Sequence, residues 1–475
     1  MTEVKSSRKR KSDLSSESKR RKSLVVRCPT INQKYHEEKF VTEFRANFKA
    51  EPFPHWHLRN FVHNDGNFVE EVEAELQNFG EWKRRENDLY SLHQTEDFKS
   101  LAVTKYPSLY SFRQFLYNEV REFLTKVTGV QLTDQVDCNG SCYAHTDSLL
   151  PHNDLIDTRH FAFVYYLTEP NWNSKKFGGN LQLFNVDKKG FPSVLAKEIP
   201  PLRNSLVVFE VSQKSWHKVA EIISNTPRLS INGWFHSERK PKAVTPPVEI
   251  YPKMTPTESQ KIKSIFGAEY FDTEKQKKVQ DFFGDNSELS LKKFLKDNVH
   301  DAIYEELEAN PSLFELTGPV NKRQIHKLKE NETLQVTNTL IRAMKSKNFT
   351  KLMGKLTGVK LTGSQVSLKV IKVQQGSYWV LGDEDAQQSA AEGYCLDVHI
   401  FVQKQPWDDD FGGMLVYIAE DEEEELLQVS PGANETGVVF REPGVLSFLK
   451  YVNSKAADKH YYLLTLSYHN VDVVD

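Results

Sequence analysis

The stretch Asp147-Ser-Leu-Leu-Pro-His-Asn-Asp-Leu-Ile156 decides how the chain is understood, because it sets an imidazole and a carboxylate two residues apart. On an extended backbone side chains repeat with period 2, so His152 and Asp154 project the same way. A second histidine reaching them from elsewhere completes a two-histidine, one-carboxylate face on an iron ion and leaves the opposite face open. His217 is the histidine expected there.

Spacing alone does not single out this pair. The pattern His-x-Asp occurs three times, as His63-Asn-Asp65, His145-Thr-Asp147 and His152-Asn-Asp154. His63 and Asp65 immediately precede an amphipathic segment, where Asp65 is expected as a helix cap or first-turn charge. The other two pairs are equal on spacing. The chain downstream of them is more ordered: β-rich runs at residues 161–167, 181–184, 205–210 and 228–235, separated by Gly178-Gly179, Pro200-Pro201 and Asn225-Thr-Pro227. Short strands at this spacing predict a β-sandwich or barrel packed on helices. Strands interleaved with His217 and Arg228 in this order suit a double-stranded β-helix, which gathers distant strands at one open mouth.

The helices come first. Phe68, Val69, Val72, Leu76 and Phe79 recur at mostly three- and four-residue steps. A second helix is expected over 108–127, with Phe112, Phe115, Val120, Phe123 and Leu124 in its buried stripe and Gly129 as its stop. Such aromatic stripes belong to a core rather than to a cofactor.

Each residue type in the constellation has a chemical reason. Neutral imidazole and carboxylate suit ferrous iron, and three ligands on one face leave room for substrate and oxygen. A 2-oxo acid fills two of the open positions and leaves one for dioxygen. Its remote carboxylate then needs a fixed cation, and Arg228 offers a planar fork matched to that geometry. Against this stand the plainer roles, Arg228 as partner of a buried acid and His217 as a structural histidine.

Downstream, residues 241–256 hold Pro241, Pro246, Pro247, Pro252 and Pro256 and are expected to form a stiff linker. The chain is then expected to turn helical through Ile262, Ile265 and Phe266, through Val279, Phe282 and Phe283, and through Leu291, Phe294 and Leu295. Beyond this it repeats itself. Phe123-Leu-Thr-Lys-Val-Thr-Gly-Val-Gln-Leu132 is echoed by Leu352-Met-Gly-Lys-Leu-Thr-Gly-Val-Lys-Leu361, Phe177-Gly-Gly179 by Phe411-Gly-Gly413, and Val207-Val-Phe209 by Val438-Val-Phe440. Echoes in one order at nearly constant offset indicate a duplicated fold. The second copy has no histidine near Asp385 to Gln388, where His152 and Asp154 would fall, and Phe448 stands where the offset puts His217. It is therefore expected to be a barrel without metal. The acidic run Glu420-Asp-Glu-Glu-Glu-Glu425 is expected as a solvated hairpin loop, the alternative being a docking surface for a basic partner.

Size and charge fit this plan. The 475 residues, 39% of them hydrophobic, suffice for more than one core, and a formal charge of −3 argues against whole-surface nucleic-acid binding. Cys28, Cys138, Cys142 and Cys395 form no C-x-x-C pair, which fits a reducing, intracellular setting. No apolar run approaches a membrane span, and no apolar signal-peptide core stands at the start. Residues 1–27 carry the basic clusters Arg8-Lys9-Arg10-Lys11 and Lys19-Arg20-Arg21-Lys22 around a serine-rich spacer, and are expected to be a disordered tail serving as a nuclear-import signal or a solvated arm. The expected layout is thus a tail at 1–27, a catalytic barrel at 28–240, a linker at 241–256 and a second barrel at 257–475. The fold class is mostly β with flanking helices, as two tandem double-stranded β-helix (jelly-roll) domains.

Through these residues the chain resembles the 2-oxoglutarate- and iron(II)-dependent prolyl 3-hydroxylases that modify a ribosomal protein, the family of the fungal termination-and-polyadenylation protein and its animal homologues. The likeness covers about residues 50–475. It is carried by Tyr143, the D-S-L-L-P-H-N-D run, F-V-Y-Y-L from Phe163, F-G-G-N-L from Phe177, W-H-K-V from Trp216 and R-L-S-I-N-G-W-F-H from Arg228. The resemblance implies that His152, Asp154 and His217 hold Fe(II), selecting His152 over His145. It implies that Arg228 takes the distal carboxylate of 2-oxoglutarate, with Tyr143 and Tyr166 beside it, and that the second barrel is catalytically silent. Pro151 and Asn153 are local variations that leave the ligand types intact. O2 is the implied cosubstrate, and ascorbate is expected to rescue oxidised iron. The implied substrate is a proline in the decoding-centre protein of the small ribosomal subunit, which ties the chain to translation accuracy and termination, to partners among termination or messenger-ribonucleoprotein factors, and to cytoplasm and nucleus. Two rivals remain: an oxygenase with another target, a lysyl side chain or an oxygen-sensing prolyl, and a non-catalytic scaffold.

Overall fold

The computed structural model describes residues 28–472 apart from 47–50, 81, 241–251, 259, 331–332, 421 and 423. The basic tail and most of the proline-rich linker lie outside the described residues.

The first sheet comprises β1 (His55–Arg59), β2 (Lys83–Glu86), β3 (Tyr90–Gln94), β4 (Val136–Tyr143), β5 (Ser148–His152), β6 (Arg159–Tyr166), β7 (Leu181–Val186), β8 (Pro192–Ile199), β9 (Ser205–Glu210), β10 (His217–Val219) and β11 (Arg228–His236). The second comprises β12 (Glu288–Lys292), β13 (Phe314–Thr317), β14 (Arg323–Leu328), β15 (Gln365–Gln374), β16 (Tyr378–Trp379), β17 (Cys395–Val402), β18 (Leu415–Ala419), β19 (Glu425–Val429), β20 (Glu435–Arg441), β21 (Val445–Leu449) and β22 (His460–His469). Their spatial orders are β1-β9-β6-β11-β4-β3-β5-β10-β7-β8 and β12-β20-β17-β22-β15-β14-β16-β21-β18-β19, with β2 on β3 and β13 on β14. The two halves match strand for strand. Each curls into an antiparallel double-stranded β-helix with helices packed on one face.

Alternation along the strands explains the layering. In β9, Leu206 and Val208 join the core beneath the helices, whereas Val207 and Phe209 face the barrel interior, so an unbroken apolar run is covered on both sides. The long helical segment opens with Pro107 in its first turn, where the missing N–H costs nothing. It runs through a π-turn at Leu116–Val120 and ends at Gly129, whose φ of 77° is the left-handed stop glycine permits. Phe112, Phe115, Leu116, Phe123 and Leu124 are buried along it. At the start of the helix Phe68–Gln77, the Val69 amide donates to Asn64 Oδ1 at 3.0 Å; the Asp65 side chain, expected as cap or first-turn charge, lies outside the described residues.

The duplication is visible in paired details. Trp172 Nε1 donates to the Gly178 carbonyl at 3.0 Å and Trp407 Nε1 to that of Gly412 at 2.8 Å. Asn204 holds both backbone groups of Val62, at 3.0 Å each, and Asn434 holds those of Leu295 at 3.1 and 2.9 Å. These anchors correct the register of the third echo. Asn204 matches Asn434, so Phe209 matches Val439 rather than Phe440. The ladders then put Ser447, not Phe448, at the place of His217: His217 pairs with Leu183, and Ser447 with Tyr417. Counted along from Leu149 and Trp379, the place of His152 falls at Gly382 rather than near Asp385.

Two other expectations change. Residues 262–266 form a turn rather than a helix, and Leu291 lies on β12, because Leu289 and Leu291 alternate toward the core with exposed residues between them. Only the middle segment is helical, at Thr273–Asn286, and Phe282 on it is exposed. At the end of the linker, Met254 bridges to Val366 and so belongs to the second unit. Glu420, Glu422 and Glu424 are exposed between β18 and β19, the hairpin loop expected for the acidic run. Among the described residues no helix is long and apolar enough to cross a membrane.

The halves touch. Glu221 accepts from the amide and hydroxyl of Ser454, at 2.8 and 2.6 Å, and Asp88 accepts from the Leu381 amide at 2.8 Å.

Candidate metal and cosubstrate site

Neighbouring strands place the two histidines. β5 and β10 pair with His152 opposite His217, and their rings lie 4.1 Å apart between centroids. After His152 the chain leaves the strand, and Asp154 takes a φ of 59°, a left-handed conformation aspartate tolerates better than most residues. This bend turns the carboxylate toward both imidazoles, Oδ1 lying 3.3 Å from His152 Nε2 and Oδ2 3.5 Å from His217 Nε2. All three offer a ligand atom within 4.8 Å of one another.

The far side of each ring fixes which nitrogen faces inward. His152 Nδ1 donates to the Leu150 carbonyl and His217 Nδ1 to the Ser215 carbonyl, both at 2.8 Å. Each Nε2 therefore carries the lone pair toward the centre, the tautomer a metal requires. Burial, reinforced by His152, pushes His217 down to about 4, so its imidazole stays neutral. Burial alone would raise Asp154, but His217, His152 and a hydrogen bond from Trp234 hold its carboxyl well below the usual range. Trp234 Nε1 donates to Asp154 Oδ2 at 3.0 Å, and the Arg159 guanidinium lies 3.5 Å over the indole.

Deeper in the barrel, β11 pairs Arg228 with Tyr143 of β4, and Tyr166 comes from β6 on the other side. Arg228 is 1% exposed and sits about midway between the two rings, 5.0 Å from Tyr143 and 4.9 Å from Tyr166. Its Nη2 donates to the Tyr166 hydroxyl at 3.3 Å, and burial raises both phenols, which stay protonated. Arg228 Nε finds no hydrogen-bond partner, and among the described residues no carboxylate lies within ion-pair distance of the guanidinium. A buried, uncompensated cation is costly, so this chemistry calls for an anion supplied from outside the chain. The donor set fits Fe(II) at the triad and the distal carboxylate of 2-oxoglutarate at Arg228.

Every expected site residue is brought together: His152, Asp154, His217, Arg228, Tyr143 and Tyr166. His145-Thr-Asp147 is not part of the cluster. Asp147 accepts from Arg84 Nη1 at 2.6 Å, Ser91 Oγ at 2.8 Å and the Ala144 amide at 2.9 Å, which tie down the turn after β4. Trp234 and Arg159 join the site without having been expected there. Parity offers a signal for the former, since Trp234 stands six residues beyond Arg228 on one strand and so faces the same way.

In the second barrel the equivalent positions read differently. Tyr461 takes the place of Arg228 and donates to the Gly413 carbonyl, while Phe401 and Val373 replace Tyr166 and Tyr143. Glu392, Cys395 and His469 also lie close enough to share an ion, but Arg441 Nη2 sits 3.0 Å from Glu392 and opposes a cation there.

Comparison with known proteins agrees with the geometry. Residues 138–236 match the 2OG-Fe(II) oxygenase superfamily, and residues 257–475 match the oxoglutarate and iron-dependent oxygenase degradation C-terminal family. The chain is 32% identical over 444 residues to prolyl 3-hydroxylase OGFOD1 of Xenopus laevis, covering 86% of this chain and 84% of that one. It is 28% identical to the Mus musculus protein of the same name, over 86% of each chain, and 28% identical to prolyl 3-hydroxylase sudestada1 of Drosophila melanogaster, over 80% and 76%. At this identity and coverage, the chain belongs to the prolyl 3-hydroxylase family of 2-oxoglutarate- and iron(II)-dependent oxygenases.

Proposed function

We propose that this chain 3-hydroxylates a prolyl residue of a protein, with His152, Asp154 and His217 as the iron ligands and Arg228 as the anchor of 2-oxoglutarate. The observation that carries the reading is the buried Arg228 guanidinium, which lacks a carboxylate in the same barrel that gathers the triad. When bound, iron(II) with 2-oxoglutarate and dioxygen supplies the oxidising power, yielding succinate and carbon dioxide as the prolyl carbon gains its hydroxyl.

The residues of the chain do the rest. The Leu150 and Ser215 carbonyls hold the two imidazoles in the ligating tautomer, Trp234 steadies Asp154, and the Tyr166 hydroxyl steadies Arg228. Phe209, 4.5 Å from the His217 ring, and Leu183 wall the centre in apolar surface and exclude water. A prolyl ring entering from the mouth is oriented rather than activated, which is where such a site gains its rate.

The substrate we infer is the decoding-centre protein of the small ribosomal subunit, with translation-termination or messenger-ribonucleoprotein factors as associated partners, ascorbate as a restoring reductant, and cytoplasm and nucleus as the setting. Support for these comes from the family resemblance of the motifs; the names of the relatives support prolyl 3-hydroxylation alone. The test is mass spectrometry of that ribosomal protein with and without the chain. A prolyl residue that gains one oxygen only when the chain is present, and not with His217→Ala, supports the reading. An unmodified proline in its presence overturns this substrate.

A further inference from the structure

The two barrels meet through the same pair of strands in each copy. β5 sets Leu149 against Val219 of β10, and β16 sets Trp379 against Leu449 of β21. Counted on from these matched pairs, Leu150 answers to Val380 and Glu221 to Tyr451. Both equivalent pairs touch across the interface. Leu150 and Val380 share one apolar cluster with Tyr378, and the Tyr451 hydroxyl donates to Glu221 Oε2 at 3.3 Å. Their backbones correspond as well, the Leu150 amide donating to the Leu89 carbonyl at 2.9 Å and the Val380 amide to the Lys322 carbonyl at 2.8 Å. Residues near a two-fold axis meet their own counterparts, so the duplicated barrels pack as the halves of a homodimer would.

In the first barrel these are the strands that carry both histidines. β10 is three residues long, and its side chains alternate: His217 and Val219 face the barrel, while Trp216 and Lys218 on either side of His217 face the second unit. Trp216 packs in a cluster that Val320 joins. The Lys218 ammonium lies 5.2 Å from the centre of the Tyr451 ring and 5.9 Å from that of Tyr378. On β5 the ladder slips between its pairings with Val219 and His217, so Leu149 and His152 both face inward and Leu150 is turned out onto Tyr378 and Val380. The Leu150 carbonyl is also the group that fixes the His152 tautomer. Each histidine thus stands within two residues of a side chain seated on the second barrel.

Lys218 is the informative contact. Among the described residues its ammonium makes no ion pair, and two ring faces hold it instead. An apolar side chain would cover this seam without desolvating a charge. A cation gripped by two rings is directional, because the attraction is spent unless both faces stand at the right distance. The rings are themselves fixed, Tyr378 by donating its hydroxyl to the Val320 carbonyl and Tyr451 by its bond to Glu221. We propose that Lys218, Tyr378 and Tyr451 are positioning residues of the iron site: the ring pair of the second barrel grips the strand that carries His217 and holds its imidazole in register with His152 and Asp154. The second barrel, without the ligand triad at its own equivalent positions, serves the first as a fixed brace. The inference rests on the reading of the triad as an iron site.

The experiment measures anaerobic iron(II) affinity on the full chain, with urea midpoints to show that each variant is folded where iron is titrated. Affinity is expected to fall by about tenfold or more in Lys218→Met and in Tyr451→Leu, and no further when the two are combined, since both break one contact. Tyr451→Phe keeps the ring face and is expected to bind iron as wild type does. So is Lys450→Met, which loses an interface ion pair to Glu86 of β2 but touches neither histidine strand. Lys218→Met keeps the length of the stem and is expected to fold; should either Lys218→Met or Tyr451→Leu fail to do so, the other decides. Wild-type affinity in both overturns the proposal, and so does an equal loss in Lys450→Met, which would make the effect one of general interface stability. Iron binding indifferent to His217→Ala overturns the iron reading itself.

Discussion

Trp234 Nε1 and Asp154 Oδ2 are 3.0 Å apart, so the single carboxylate of the triad accepts a hydrogen bond from an indole that is not itself a ligand. An outer partner of this kind fixes the orientation of a ligand and is worth about 10- to 100-fold in metal affinity or activity. Trp234→Phe keeps the ring and removes the donor. The expected outcome is an unchanged fold with iron affinity or turnover lowered by about 10- to 100-fold, measured by iron titration coupled to succinate release.

Arg228 makes the opposite kind of prediction, in which function and stability part company. Because its buried guanidinium faces no carboxylate of the chain, Arg228→Met removes an uncompensated charge. The unliganded protein is expected to be as stable as wild type or more so, by about 1 kcal/mol or more. Activity is lost, and so is the rise in Tm that 2-oxoglutarate gives the wild type. Arg228→Lys restores the charge but not the fork, and is expected to leave KM for 2-oxoglutarate raised by at least about tenfold.

Gly179 backs onto the stem of that arginine. A Cβ there would meet Arg228 Cδ at 3.0 Å and Ile222 Cδ1 at 2.6 Å, at a φ of 74° that an alanine also resists. Gly179→Ala is therefore expected to raise KM for 2-oxoglutarate more than it lowers kcat, alongside a stability loss of about 1 kcal/mol or more. Steady-state kinetics in 2-oxoglutarate separates the two effects.

His399 gives the unliganded protein part of its acid sensitivity. Burial first, then Lys369 and Arg441, push it from 6.5 down to about 4 against the pull of Asp397. Between these values the unfolded chain binds the proton and the folded chain does not. Stability from this group is thus intact above pH 6.5 and declines as pH falls toward 4, by up to about 1.4 kcal/mol per pH unit. Urea midpoints across this range are expected to fall less steeply for His399→Gln than for wild type, and equal slopes would refute the assignment.

Much of this was legible in the sequence because ligand chemistry is carried by residue type. His152, Asp154, His217 and Arg228 stand out once strands and turns are laid between them, and the repeat of Phe-Gly-Gly betrays the second barrel. Spacing could not choose between His145 and His152, since the choice depends on Asp147 being consumed by Arg84, Ser91 and the Ala144 amide, contacts between distant segments. The echo of Val-Val-Phe misplaced the counterpart of His217 by one residue. A run apolar on both faces carries no mark of which side is inward, and only the Asn204 and Asn434 anchors set it. The helices expected around Ile262 and Leu291 failed for a related reason: short apolar runs fit a turn or a strand as well as a helix, and β20 captured Leu291 as a strand partner. Charge inside the second barrel was invisible because Lys369, Asp397 and His399 are unremarkable until β15, β17 and β22 align them.

The central claim is that one iron is held by His152, Asp154 and His217, with 2-oxoglutarate completing the site from Arg228. Anaerobic titration of the full chain with iron(II) and then 2-oxoglutarate tests it most directly, with bound iron counted and the visible charge-transfer band of the chelate recorded. The account predicts one iron per chain, lost with His152→Ala, Asp154→Ala or His217→Ala, and retained without the band in Arg228→Met. Iron binding undiminished by the three ligand substitutions, or a band that persists in Arg228→Met, would contradict it.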